Sequence, residues 1–331
     1  MNFKKLPKIE LHLHLDCSLS FPVVNTLDPK ITLEQYHHSF IANDECHSLP
    51  DYLERAVRGV ELMQDKRSLR LVTLDLFNQM KADGVLYAEI RFAPFLHLQA
   101  GLSPGEVVET VDLAVKEGMR NTGIGASVIL CTLRHFSEDE SMETVNLVGH
   151  YRKTTVSGFD IAADEAGFPV DNHIQAFKYA QQEKLHITAH AGEACGPESV
   201  WETLEHFKPA RIGHGIRSTE DPRLLKHLKE NKIHLEICPT SNIQTGVYET
   251  YAGHQADFIF RSGVSMSINT DGRTISNVTL SQEYKKMHDN FGWSKDHFLQ
   301  CNLMAIDAAF ISASSKKELK QRFLASWRSD E

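Results

Sequence analysis

The chain has 331 residues with 35 Lys and Arg against 44 Asp and Glu, a formal net charge of −9, which opposes a nucleic acid or an anionic membrane as principal partner and favours a neutral or cationic small molecule. The N-terminus, Met-Asn-Phe-Lys-Lys-Leu-Pro-Lys-Ile-Glu, lacks the apolar core of a signal peptide, and no run approaches the roughly 18 apolar residues of a membrane span, so the expected location is cytoplasmic. Six cysteines without a C-x-x-C pair suit a reducing compartment and leave any metal to carboxylates and to the 18 histidines.

Short β-like runs alternate with helical patterns, and no repeat or low-complexity linker interrupts them. In chain order the runs are Ile9–Leu15, Gly84–Phe92, Ala126–Leu133, Gly158–Ala163, Leu185–His190, Arg211–Gly215, Ile233–Cys238 and Ser265–Thr270. Helical periodicity marks Leu53–Lys81, Pro104–Met119, Val170–Glu183, Glu198–His206 and Asp221–Glu230 between them. Eight strand–helix units predict one α/β domain over 1–331, a parallel (β/α)8 TIM barrel with its chemistry at the carboxyl ends of the strands. The connection from Cys17 to about Pro50 is long and holds a helical piece around Thr32–Phe40, so it reads as a lid or binding insertion. The tail from Asp296 reads as closing helices whose Lys and Arg residues face solvent.

His12 and His14 alternate with Leu11, Leu13 and Leu15, which puts the two imidazoles on one strand face roughly 7 Å apart and the leucines on the other, toward the helices. His190 opens His190-Ala-Gly-Glu193, whose small residues allow a tight turn that aims Glu193 back at the strand end. His214 is flanked by Gly213 and Gly215, and Asp271 closes an apolar run. Singly, each has an ordinary explanation: a packed imidazole, a solvated carboxylate, an Asp-Gly turn. Together, three imidazoles and a carboxylate at strand ends make a zinc site with a position left for water. Such a metal brings bound water to a pKa of about 7, which is hydrolytic or deaminating chemistry, and leaves Glu193 and His214 for proton transfer and water orientation.

These motifs, His12-x-His14-x-Asp16, His190-Ala-Gly-Glu193, Gly213-His-Gly215, Cys238-Pro-Thr-Ser-Asn242 and Asn269-Thr-Asp271, resemble the adenosine deaminases of the metal-dependent amidohydrolase superfamily, in the same order over nearly the whole chain. Leu130-Cys-Thr-Leu-Arg-His135 and Ser48-Leu-Pro-Asp-Tyr-Leu53 also look like segments of that family. The resemblance implies one Zn2+ per chain held by His12, His14, His190 and Asp271. It implies addition of hydroxide at C6 of a 6-aminopurine nucleoside, with Glu193 carrying a proton to N1 and His214 orienting the nucleophile. Asp271 would also accept a hydrogen bond from the attacking water, and Asp16 matches the residue that contacts the ribose 5′-hydroxyl. The other zinc deaminase pattern, H-x-E with P-C-x-x-C, is absent. The fourth run offers no lysine of the kind that dinuclear relatives carbamylate, so one metal is expected.

Three positions beside the site depart from the usual family pattern: Cys17 and Ala163 stand where Gly is common, and Gly272 where a second Asp is common. Ala163 is expected to keep a backbone N–H contact to purine N3 while narrowing the floor. Gly272 lacks a side chain that would bond N7, a loss of about 1–3 kcal/mol, so Gly272→Asp is expected to raise activity on adenosine. The leading expectation is deamination of adenosine and 2′-deoxyadenosine. The alternatives are another 6-aminopurine nucleoside, such as methylthio-adenosine or aminodeoxyfutalosine, a metal-dependent amidase or lactonase, or a barrel that binds nucleosides without converting them.

Overall fold

A computed structural model describes residues 1–42 and 46–328, so positions 43–45 of the expected insertion and the last three residues of the tail lie outside the described residues. The eight runs form strands β1 (Lys8–His14), β2 (Val85–Phe92), β3 (Gly125–Leu133), β4 (Val156–Ala162), β5 (His186–Ala191), β6 (Arg211–His214), β7 (His234–Ile237) and β8 (Met266–Ile268), each boundary within two residues of the sequence-based one. All neighbours pair in parallel in the order β1 to β8. The ring nearly closes through a Leu13–Asp271 bridge, in which the His14 amide donates to the Asp271 carbonyl at 2.8 Å and the Asp271 amide to the His12 carbonyl at 3.1 Å. The outcome is a (β/α)8 barrel. No helix among the described residues is long and apolar enough to cross a membrane.

Local chemistry explains the helix ends. Ser103 accepts from the Glu106 amide and Glu106 answers at the Ser103 amide, Pro104 begins the helix Pro104–Thr122, and Gly123 ends it at φ 74°. The segment Leu53–Lys81 is two helices rather than the single expected one. Helices α1 (Phe21–Leu27), α2 (Leu33–Phe40), α3 (Leu49–Glu61) and α4 (Lys66–Ala82) fill the path from β1 to β2. The break arises because the Asp65 carboxylate takes the Ser68 amide at 2.7 Å and starts a new helix. The α1 helix was not expected. Two helices, Lys295–Ala308 and Ala313–Arg328, form the tail.

The leucines in and just after β1 pack against different helices. Leu13 and Leu15 share a buried cluster with Val72 and Leu76 of α4, whereas Leu11 belongs to a second cluster with Ile268 and Phe298. The pairing of β1 with β2 shifts register between Glu10 and Leu13, yet all three leucines pack toward helices and His12 and His14 share the opposite face, as the alternation predicts.

Two buried histidines tie stability to pH. His97 Nδ1 donates to the Met63 carbonyl at 3.0 Å, and His234 sits between the Ser265 and Ser267 hydroxyls at 2.8 and 2.9 Å. Burial lowers the His97 pKa to about 4, and burial followed by Arg211 lowers that of His234 to about 3. Unfolded, both titrate near 6.5, so the unfolded chain binds more protons as pH falls below that value. Their stabilisation is therefore complete above about pH 6.5 and is lost as pH drops toward the folded values. His97→Asn is expected to reduce the pH slope of the unfolding free energy between about pH 4.5 and 6 by up to about 1.4 kcal/mol per unit. Urea titrations across that window measure it, and an unchanged slope would exclude His97 as a source.

Candidate active site

The carboxyl ends of β1, β5, β6 and β8 bring the singled-out residues together. The His12 ring lies 4.6 Å from that of His190 and 4.8 Å from that of His214, centroid to centroid. Ligand atoms of His12, His190, His214 and Asp271 all fall within 4.8 Å of one another. His14 joins them, its Nε2 lying 3.2 Å from His190 Nε2 and 3.4 Å from Asp271 Oδ1. Glu193 Oε2 is 3.5 Å from His214 Nε2. Asp16, Cys17 and Ala163 line an adjoining cavity of about 430 Å³ together with Leu53, Val57 and Phe95.

Backbone strain is concentrated here. Ala163, His214 and Asp271 follow or end β4, β6 and β8 with left-handed φ values of 79°, 59° and 65°, a conformation that costs an L-residue about 1–3 kcal/mol and persists only where the surroundings impose it. Gly213 is needed for a different reason. A Cβ on it would lie 3.1 Å from His12 Cε1 and 3.2 Å from the His190 ring, so its hydrogen lets both imidazoles pack across β6.

Carboxylates behind the histidines set their orientation. His12 Nδ1 meets Glu236 Oε2 at 2.9 Å, and His190 Nδ1 meets Asp160 Oδ1 at 3.2 Å. Arg91 bridges these carboxylates, at 2.8 Å to Asp160 and 2.6 Å to Glu236, and Arg211 joins Glu236 at 2.7 Å to Glu89 at 2.6 Å. Burial alone would raise the Glu236 carboxyl, but Arg91 and Arg211 hold it well below the usual range. With each Nδ1 engaged by an ionised acceptor, the Nε2 atoms of His12 and His190 keep their lone pairs toward the cluster. His12 Nε2 is buried 3.2 Å from Asp271 Oδ1 without the alignment of a hydrogen bond, and the Nε2 atoms of His14 and His190 face each other at 3.2 Å. Lone pairs converging on one point beside a carboxylate fit a divalent cation, and an imidazole-rich set suits Zn2+.

Glu193 is held from below. Glu165 accepts the amides of Gly192, Glu193 and Cys195 at 2.6, 3.0 and 2.9 Å and the Ser199 hydroxyl at 2.5 Å, while Arg134 donates to the His190 carbonyl at 3.0 Å. The tight turn expected from Ala191-Gly192 is thus clamped by a buried carboxylate from the loop after β4. Burial, then Asp271, then Glu165 push the Glu193 carboxyl well above its ordinary value, and its Oε1 has no hydrogen-bond partner among the described residues. Burial also pushes Asp16 up to about 6.

Gly272→Asp also carries a steric cost. A Cβ on Gly272 would lie 2.7 Å from Cys17 Cβ and 3.1 Å from both the Cys17 carbonyl oxygen and the Tyr52 hydroxyl. Positions 17 and 272 therefore share one side-chain slot, and Cys17 fills it from the loop after β1. Gly272→Asp alone is expected to lower Tm by about 2–8 °C through overpacking, and adding Cys17→Gly to recover at least half of that. Equal losses with and without Cys17→Gly would show that the two positions are independent.

Sequence reading missed Asp160, Glu236, Arg91, Arg211 and Glu165. The available signal was a charge inside an otherwise apolar barrel strand, which is rarely buried without a partner.

The comparisons agree with this geometry. A family model described as Adenosine deaminase matches residues 7–326. An adenosine deaminase of Clostridium acetobutylicum is 35% identical over 333 residues, spanning 97% of this chain and 99% of the relative. Among solved structures, an Arabidopsis N6-mAMP deaminase is similar with a TM-score of 0.87 at 26% identity, covering 98% of this chain and 99% of that one. An amidohydrolase from Burkholderia ambifaria, solved with bound Zn, shares the fold with a TM-score of 0.90 at 22% identity, covering 99% of this chain and 92% of that one. This chain belongs to the adenosine deaminase family, and it is an aminohydrolase of adenosine-type deamination on a (β/α)8 barrel.

Proposed function

We propose that the protein converts adenosine and 2′-deoxyadenosine, with water, to the inosine nucleosides and ammonia, using one Zn2+ held by His12, His14, His190 and Asp271. The observation that carries this reading is the set of inward Nε2 atoms beside Asp271, with a buried carboxyl oxygen of Glu193 that has no hydrogen-bond partner among the described residues. A Zn2+ ion there would acidify water enough to supply the nucleophile at neutral pH. The chain's own groups do the rest. Asp271 accepts a hydrogen bond from the attacking water, and His214 orients it toward C6. Glu193, kept protonated by its burial, delivers its proton to N1 as the oxygen adds, which makes C6 tetrahedral. On collapse the proton of the added hydroxyl passes through Asp271 to N6, the C6–N6 bond breaks, and ammonia leaves a C6 carbonyl beside a protonated N1. Asp16 accepts from the ribose 5′-hydroxyl, and the Ala163 amide faces N3.

The apolar wall beside Asp16, with Leu53, Val57, Val60, Phe95 and Leu96, supports a second reading in which the 5′ group is apolar, as in methylthio-adenosine. Ammonia release by zinc-loaded protein from adenosine, 2′-deoxyadenosine and methylthio-adenosine tests both. Release from adenosine is the expected result. Release from methylthio-adenosine alone would move the substrate, and silence from all three would overturn deamination.

A further inference from the structure

The positions of the ligand atoms leave one ambiguity at the cluster. A ring nitrogen of His214 lies within 4.8 Å of ligand atoms of His12, His190 and Asp271, and His14 Nε2 lies 3.2 Å from His190 and 3.4 Å from Asp271, so distance alone does not choose between the two imidazoles. What separates them is the ring nitrogen that carries the proton of His214, and a backbone amide 42 residues further along the chain determines that.

The Ala256 amide can only donate, and it donates to His254 Nδ1 at 3.2 Å. Nδ1 of His254 is therefore an acceptor, and the ring proton is on Nε2. That nitrogen lies 3.2 Å from Asn242 Oδ1, so the Asn242 amide presents its oxygen to His254. Its nitrogen, Nδ2, then faces His214 Nδ1 at 3.1 Å and must be the donor. His214 Nδ1 accepts, and the proton of His214 sits on Nε2, the atom 3.5 Å from Glu193 Oε2. The reverse amide orientation would set two donors against each other at His254, a costly arrangement in a buried place. His254, Asn242 and His214 are exposed by only 2%, 0% and 1%, so bulk solvent does not reach it.

We infer that His254, though remote from the metal cluster, is a positioning residue that sets the tautomer of His214 through the Asn242 amide. With a proton on Nε2, His214 has no lone pair to give a metal and becomes a hydrogen-bond donor toward the place where oxygen adds to the purine. That leaves His12, His14 and His190 as the three imidazoles with free lone pairs. The role of the donor rests on the deamination reading, whereas the tautomer itself does not.

The test uses zinc-loaded full-length protein with 15N-labelled histidine. His214 is expected to show the pattern of a neutral ring protonated on Nε2, and an Nδ1-protonated pattern overturns the inference. Asn242→Asp presents only acceptors, so it draws the His214 proton to Nδ1. The spectrum should switch, and kcat for adenosine should fall by about 10²-fold, the size of losing one aligned donor. His254→Gln keeps a donor toward Asn242 and should hold kcat within about threefold, while His254→Met, of similar bulk but without a donor, should lower kcat at least about tenfold with KM nearly unchanged. Equal kcat in the Gln and Met variants would overturn the relay, since a merely structural His254 predicts no such split. If even the parent protein released no ammonia from adenosine, the deamination reading would fail, and the 15N pattern would still decide the relay.

Discussion

Replacing Glu193 by Gln is expected to lower kcat/KM for adenosine by about 10³-fold, within the range of general acid–base catalysis, while leaving zinc content unchanged. The expectation follows from position. The carboxyl is 4% exposed, one oxygen is without a hydrogen-bond partner among the described residues, and the other lies 3.5 Å from His214 Nε2. Burial beside Asp271 favours the protonated form, the state that can give a proton to a purine nitrogen in a water-poor site. Gln keeps the shape and the backbone clamp to Glu165 but cannot transfer that proton. The loss should therefore fall on kcat, with KM changed little. Metal analysis and steady-state kinetics on the same sample check it, and near-normal turnover would remove Glu193 as the proton carrier.

Adenosine is expected to exceed AMP in kcat/KM by about 10³-fold. No Lys or Arg lines the cavity beside Asp16 among the described residues. Asp16, raised only to about 6, is largely ionised at pH 7. A 5′-phosphate there would meet a carboxylate at about 3 kcal/mol of repulsion per unit charge, taking 5 Å and an effective dielectric constant of 20. The Arabidopsis N6-mAMP deaminase has the same fold, so the fold does not choose between nucleoside and nucleotide; the groups around the sugar do. Comparable rates on the two substrates would mean that another group at the cavity, such as His135, reaches the phosphate.

Much of the site is legible in the sequence. His12 and His14 declare themselves because a strand has a period of two residues, so H-x-H must share a face. His190 and Glu193 do so because small residues between them permit only a tight turn, and barrel strands deliver their last residues to one rim. The split of Leu53–Lys81 was legible as well, since Asp65 with Ser68 is a capping pair. The unexpected α1 begins with Ser20, whose hydroxyl goes to Asp75 at 2.7 Å instead of capping its own helix, so the usual cap signal does not operate there.

Strand order, barrel closure and the identity of the rim residues thus follow from short-range periodicity and turn chemistry, which act over a few residues and are written in consecutive letters. The arrangement behind the rim is not local in that sense. His12 is oriented by Glu236, 224 residues away, and His190 by Asp160, 30 residues away. Cys17 and Gly272 compete for one volume from opposite ends of the chain. The proton on His214 is inferred to depend on an amide beyond β7. Excluded volume, buried charge balance and donor–acceptor parity are properties of atoms brought together in space, so they acquire a definite answer only once the barrel has closed.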